Sequence, residues 1–107
     1  VRDPDGLVIF TGCAHNGALN MIQTVAEEFP NETIKGVVGG FHLVGLPVGN
    51  TMAGSKAEMQ ALADEMNRLP VSCYWTGHCT GDKAFGVLKD VLGERLLGLR
   101  TGLTVTV

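Results

Sequence analysis

Long apolar runs, basic clusters and paired cysteines are all missing from this sequence. No apolar stretch approaches the roughly 20 residues that a membrane-spanning helix needs, so no membrane association is expected. The eight Lys and Arg residues are scattered from Arg2 to Arg100 against eleven Asp and Glu, for a net charge of −3. No electrostatic footprint for nucleic acid results. Three cysteines, Cys13, Cys73 and Cys79, are an odd number and disfavour a disulfide framework, leaving thiols or metal ligands. Residues 1–5, VRDPD, have neither the basic start nor the apolar stretch of a signal peptide, and the expected compartment is therefore the cytoplasm. A hydrophobic fraction of 45% excludes a disordered chain. At 107 residues one domain with one core is expected, spanning 1–107.

The hydropathy pattern alternates between two periods. Leu7 to Thr11 is apolar on both faces of a period-two repeat and predicts a buried strand. Leu19, Ile22, Ala26 and Phe29 then recur at helical spacing, until Pro30 and Asn31 end the helix. Ile34 to Val38 predicts a second strand closed by Gly39 and Gly40, and a Gly-rich connection from Phe41 to Gly54 is too long to be a mere turn. Ser55 with Glu58 three residues on is a capping box, opening a helix whose stripe is Met59, Leu62, Met66 and Leu69. Val71 to Trp75 predicts a third strand with Cys73 in the core, and Ala84 to Leu92 a third helix stopped by Gly93. The end, RLLGLRTGLTVTV, reads as two short strands around Thr101 and Gly102. Alternating strands and helices give an α/β, βαβαβα architecture with a mostly parallel sheet.

In such sheets ligands collect where the strands end and the βα loops begin. The only three histidines fall there: His15 past the first strand, His42 past the second and His78 past the third. A single loop histidine is ordinarily just a solvated side chain. Three at equivalent strand ends point to a shared site, because neutral imidazole is the commonest metal ligand. Cys13 and Cys79 lie in the same loops and could add thiolates, or could be small buried thiols beside turns. The glycines of TGCAHNG could permit positive backbone angles or leave amides free to hold an anion at a helix start.

Three segments, GLVIFTGCAHNGALNMI, VVGGFHLVG and TGHCTGDKAFGVL, occur in this order and together resemble the carboxyl-terminal half of a metallo-β-lactamase-fold protein. Within that superfamily they are most similar to the dihydropterin ribofuranosylaminobenzene phosphate synthase-like subgroup. The resemblance implies half of an αββα sandwich and a divalent metal at the strand-end edge, zinc first, with iron or manganese as alternatives. It implies His15, His78 and Cys13 as metal ligands, Cys13 standing where many relatives carry a bridging Asp, and His42 as a further ligand or a substrate-facing acid or base. The implied activity is metal-dependent hydrolysis of a small-molecule ester, amide or phosphoester. The family's His-x-His-x-Asp-His segment belongs to the amino-terminal half and has no counterpart in this sequence, so the isolated chain is expected to be inactive or weakly active.

One sheet face covered by helices leaves the other, drawn from alternate residues of LVIF, IKGVV and VSCYW, as an apolar patch larger than monomers tolerate. A homodimer, or association with an amino-terminal half, is the expected remedy. Two other readings stay open: a non-catalytic interaction module, and a thiol enzyme with Cys13 as nucleophile at a helix amino terminus and His15 or His78 as its base.

Overall fold

The computed structural model describes residues 1–14, 17–41, 44–45, 51–52, 55–77 and 80–107. It begins with a hairpin that the sequence pattern did not predict. Strand β1 (Arg2–Asp3) turns through Pro4 and Asp5 and pairs antiparallel with β2 (Gly6–Phe10). Lys35 ties it down by pairing with Asp3, and Arg2 Nε meets Glu32 at 3.0 Å. Helix α1 (Ala18–Glu28) follows, then β3 (Ile34–Gly39). Inside the long Gly-rich connection lies a second unpredicted hairpin, in which β4 (Val44–Gly45) pairs antiparallel with β5 (Thr51–Met52).

Helix α2 (Lys56–Arg68) starts as its capping box requires, the Glu58 amide donating to Ser55 Oγ at 3.1 Å. Strand β6 (Tyr74–Thr76) is shorter than the predicted third strand, whose first residue, Val71, is reduced to a single bridge with Ile34. Cys73, expected in the core, is only half-buried just before it. Helix α3 (Asp82–Leu92) ends at Gly93, whose φ of 58° lies in the left-handed region that favours glycine. A 3₁₀ turn (Gly93–Arg95) leads into β7 (Leu96–Gly98). The second of the two expected terminal strands does not form. Gly102 at φ 85° and a Leu103 amide bonded to the Arg100 carbonyl turn the chain back instead of extending the ladder.

The main sheet has the order β1-β2-β3-β6-β7, with every pair after the first parallel. Because β2, β3, β6 and β7 advance in one direction, crossovers of one hand carry all three helices to the same face. Register then sorts the side chains into rows. Ile9, Val37, Tyr74 and Leu96 lie opposite one another across the sheet, and Phe10, Val38, Trp75 and Leu97 form the next row. Successive residues of a strand point to opposite faces. The first row packs into one core with Ala18 and Ile22 of α1, Ala63 and Met66 of α2, and Leu88 and Leu92 of α3. Met59, expected in the core with Met66, is buried in a smaller cluster with Ala84 and Val87.

The second row faces away from the helices, and there the expected patch proves smaller than alternate residues alone imply. Phe10 is 63% exposed and Leu97 39%, but Trp75 is only 5% exposed. A Cβ at Gly36 would lie 2.9 Å from Trp75 Cζ3 and 3.1 Å from Val107 Cγ1. The bare glycine therefore admits the indole and the returning end of the chain together. Among the described residues no helix is long and apolar enough to cross a membrane.

Candidate functional site

Three parallel strands end side by side at one edge, and the backbone stitches their ends together. The Thr11 amide donates to the Val38 carbonyl at 2.9 Å, and the Gly40 amide to the Gly12 carbonyl at 2.9 Å, joining the first loop to the second. Gly39 makes this approach feasible: its φ is 153°, and a Cβ there would sit 2.3 Å from the Thr11 carbonyl oxygen. Second and third loops are joined through a side chain, as the Phe41 amide donates to Thr80 Oγ1 at 2.8 Å. Thr80 Oγ1 in turn lies 2.6 Å from Thr76 Oγ1, and both threonines are fully buried. Beyond them the Leu99 amide donates to the Thr76 carbonyl at 2.8 Å, and Gly77 packs so closely on Leu99 that a Cβ would meet its carbonyl oxygen at 2.7 Å.

The segments TGCAHNG and TGHCTG share a backbone device. The Gly17 amide bonds back to the Ala14 carbonyl at 2.9 Å, and the Thr80 amide to the Gly77 carbonyl at 3.1 Å. Positive φ in the first segment falls on Gly17, at 89°, and on Ala14, at 50°. A non-glycine residue in the left-handed region is uncommon and marks a turn held by its surroundings. Ala14 is also buried in the main core, which anchors this loop to the helix face.

His15, His42 and His78, and Cys79 with them, lie outside the described residues. What the structure brings together is the chain on either side of them. Ala14 and Gly17, Phe41, and Gly77 and Thr80 are all tied into the one strand-end edge. Cys13 is described and half-buried. It stands four residues before Gly17, the N-cap of α1, in the loop that leads into that helix. Among the described residues, which do not include the three histidines, no three His, Cys, Asp or Glu side chains form a metal-holding group. Three imidazoles and a thiolate are a donor set suited to borderline-soft divalent ions.

Two clefts open on the same edge. One, of about 240 Å³, is lined by Thr76, Gly77, Thr80, Asp82, Phe85 and Leu99 among others. The other, of about 480 Å³, lies between Gly39, Gly40, Gly77, Leu99, Arg100 and Thr101, with Arg100 the one charged residue among the described lining. Thr76, Thr80 and Arg100 were not singled out by the sequence pattern. Nothing in the local pattern marks the threonines, because Thr80 meets the Phe41 amide from 39 positions away.

No family model matches the chain. Among curated proteins it is 30% identical over 97 residues to 7,8-dihydropterin-6-methyl-4-(beta-D-ribofuranosyl)-aminobenzene-5'-phosphate synthase of Methanocaldococcus jannaschii, covering 91% of this chain and 30% of that protein. An uncharacterised protein of the same organism is 31% identical over 86 residues, covering 78% of this chain and 28% of its own length. The crystal structure of a metal-dependent hydrolase of the β-lactamase superfamily superimposes with a TM-score of 0.83 at 36% identity, over 100% of this chain and 38% of that one. The chain thus spans about a third of the length of the proteins it matches. At this identity and TM-score the chain matches part of a metallo-β-lactamase-superfamily hydrolase, and its half-fold is that superfamily's.

Proposed function

We propose that the chain is the part of a metal-dependent hydrolase that contributes His15, His78 and Cys13 as ligands to a divalent metal, zinc first, at the carboxyl edge of the sheet. The observation that carries this reading is the stitching of three strand ends, each followed in sequence by a histidine, into one edge by the Gly40–Gly12 and Phe41–Thr80 hydrogen bonds. A divalent ion held there would supply Lewis acidity and an activated water at neutral pH. The chain's own residues do the rest. His15 and His78 offer neutral ring nitrogens and Cys13 a thiolate, while His42 holds a proton to deliver to the leaving atom, or serves as a further ligand. The 480 Å³ cleft is of a size that takes a small-molecule ester, amide or phosphoester, and Arg100 at its wall favours a substrate with an anionic group.

Catalysis in this reading needs a partner. The remainder of the similar hydrolase, beyond the 38% that this chain covers, has its counterpart in an amino-terminal half-fold, in the same polypeptide or as a separate chain, which seats on the row of Phe10, Val38, Trp75 and Leu97. A second copy of this chain on that face, giving a homodimer, is the other outcome that sedimentation can reveal. The isolated chain should bind metal weakly and turn over little.

The test is metal content per chain after purification without chelator, measured by elemental mass spectrometry for the wild type, His15→Ala and His78→Ala. Near-stoichiometric zinc, iron or manganese lost in both variants supports a shared site. Protein that takes up no zinc, iron or manganese even when the ion is added in excess, with both variants as stable as the wild type, overturns it in favour of a non-catalytic module.

A further inference from the structure

The buried hydroxyl pair at the strand-end edge does something that an ordinary core contact does not. Thr80 Oγ1 accepts from the Phe41 amide at 2.8 Å and lies 2.6 Å from Thr76 Oγ1. It therefore holds a backbone group of the second loop against a side chain of the third. Phe41 immediately precedes His42, and Thr76 and Thr80 bracket the segment Gly77-His78-Cys79. Both threonines are 0% exposed and Phe41 is 2% exposed, so water cannot substitute for either bond. Phe41 is held from its other end as well, its ring meeting Tyr74 edge-on at a centroid separation of 6.4 Å. Tyr74 is anchored in turn by its hydroxyl, which donates to the Met66 carbonyl at 2.8 Å. The second loop thus leaves the sheet from a residue fixed at both its amide and its ring.

We infer that Thr80, backed by Thr76, is the positioning residue that sets the His42 loop against the His78 loop. It acts on the metal site through the Phe41 amide and not by ligation. The inference rests on the proposed metal site, and it makes a demand that the site alone does not: removing one hydroxyl outside the proposed ligand set must loosen two loops at once. An isosteric Thr80→Val leaves the Phe41 amide without its acceptor and Thr76 without its hydroxyl partner. Thr80→Ser keeps both bonds and loses only a methyl group.

The experiment compares zinc affinity, by chelator competition, and hydrogen exchange at the Phe41 amide in the wild type, Thr80→Val and Thr80→Ser. Leu88→Ala serves as a control that weakens the core elsewhere. Loss of an outer partner of a metal site typically weakens affinity about 10–100-fold. That loss is expected for Thr80→Val, together with faster Phe41 exchange, with Thr80→Ser restoring both and Leu88→Ala leaving the affinity of the folded chain within about twofold of the wild type. Unchanged zinc affinity in a folded Thr80→Val overturns the inference while sparing the metal site. An equal loss in Leu88→Ala overturns it too, by reducing the effect to general destabilisation. A wild type that binds no zinc, iron or manganese overturns the metal site itself, and the positioning role falls with it.

Discussion

On one side of the sheet Val37, Tyr74 and Leu96 vanish beneath three helices, each no more than 1% exposed. On the other, one position further along the same strands, Phe10 and Leu97 stay 63% and 39% exposed. Leu96 and Leu97 are equally apolar and one peptide unit apart, so composition cannot explain the difference. What separates them is cover. The helices between the parallel strands are bound by crossover geometry to one face, and the other receives only the returning end of the chain over Gly36. The helix face is completed by this chain's own residues, whereas the second face is half of a sandwich. The candidate site's edge lies where the two faces meet the strand ends, and it is anchored to the completed side through the Ala14 and Phe41 core contacts.

The sharpest way to break this comparison is to remove the same kind of bulk from each face. Leu88 of α3 is 0% exposed in the main core, and Leu88→Ala should cost about 2–5 kcal/mol, the range for a buried leucine that leaves a cavity. Phe10→Ala removes a larger side chain and should change stability by no more than about 0.5 kcal/mol, the usual range for exposed positions. Urea unfolding of the two variants measures both. If Phe10→Ala proved as damaging as Leu88→Ala, the second face would be packed in the isolated chain and the two faces would not differ in cover.

A pH titration sharpens the contrast from the buried side. Tyr74 is the only tyrosine, and burial pushes its pKa from 10.0 to about 12, with the Arg95 guanidinium over its ring opposing the rise. The folded phenol stays neutral where the unfolded one ionises. The stability that this contributes is complete below about pH 10, falls as pH rises from 10.0, and is lost by about pH 12. The slope approaches about 1.4 kcal/mol per pH unit between those limits. Phenolate absorbance in the folded chain should appear only near the upper limit. Tyr74→Phe should abolish this component of the alkaline loss and cost about 0.5–1.5 kcal/mol at neutral pH through the lost bond to the Met66 carbonyl. The Leu69 amide still satisfies that carbonyl, which keeps the penalty small.

Local signals made the helices and the order of elements readable from the sequence. The capping box at Ser55 and Glu58 is realised as a hydrogen bond, and the Gly93 stop as a left-handed residue. The hairpins β1–β2 and β4–β5 escaped because strands of two residues have no period to detect. The terminal strand after Gly102 was over-read, since TVTV has strand propensity but the turn at Arg100 to Leu103 takes it out of the ladder. At the edge, the histidines were conspicuous by residue type alone. The threonines that join the loops were not, because a bond between Phe41 and Thr80 spans 39 positions and exists only once the strands are in register. The burial of Trp75 was equally hidden, depending on a missing side chain at Gly36 and a valine 71 positions further along.

The smallest effect on folding should accompany the most telling effect on assembly. Phe10 lies in register with Val38, Trp75 and Leu97 on the helix-free face, and Phe10→Ser leaves the helix-side core untouched, so its stability should stay within about 0.5 kcal/mol of the wild type. Burying an aromatic side chain against a second sheet is worth about 1.5–3 kcal/mol, and a serine there surrenders that gain. Association of the chain, with a complementary half-fold or with itself, should therefore weaken by roughly one to two powers of ten, as read by sedimentation across a concentration series. Trp75 supplies an independent signal, being the only tryptophan and part of the same row: its emission should shift on association in the wild type and shift less in Phe10→Ser. Equal association of the two proteins would mean that contact is made elsewhere, and the row from Phe10 to Leu97 would then be ordinary exposed surface.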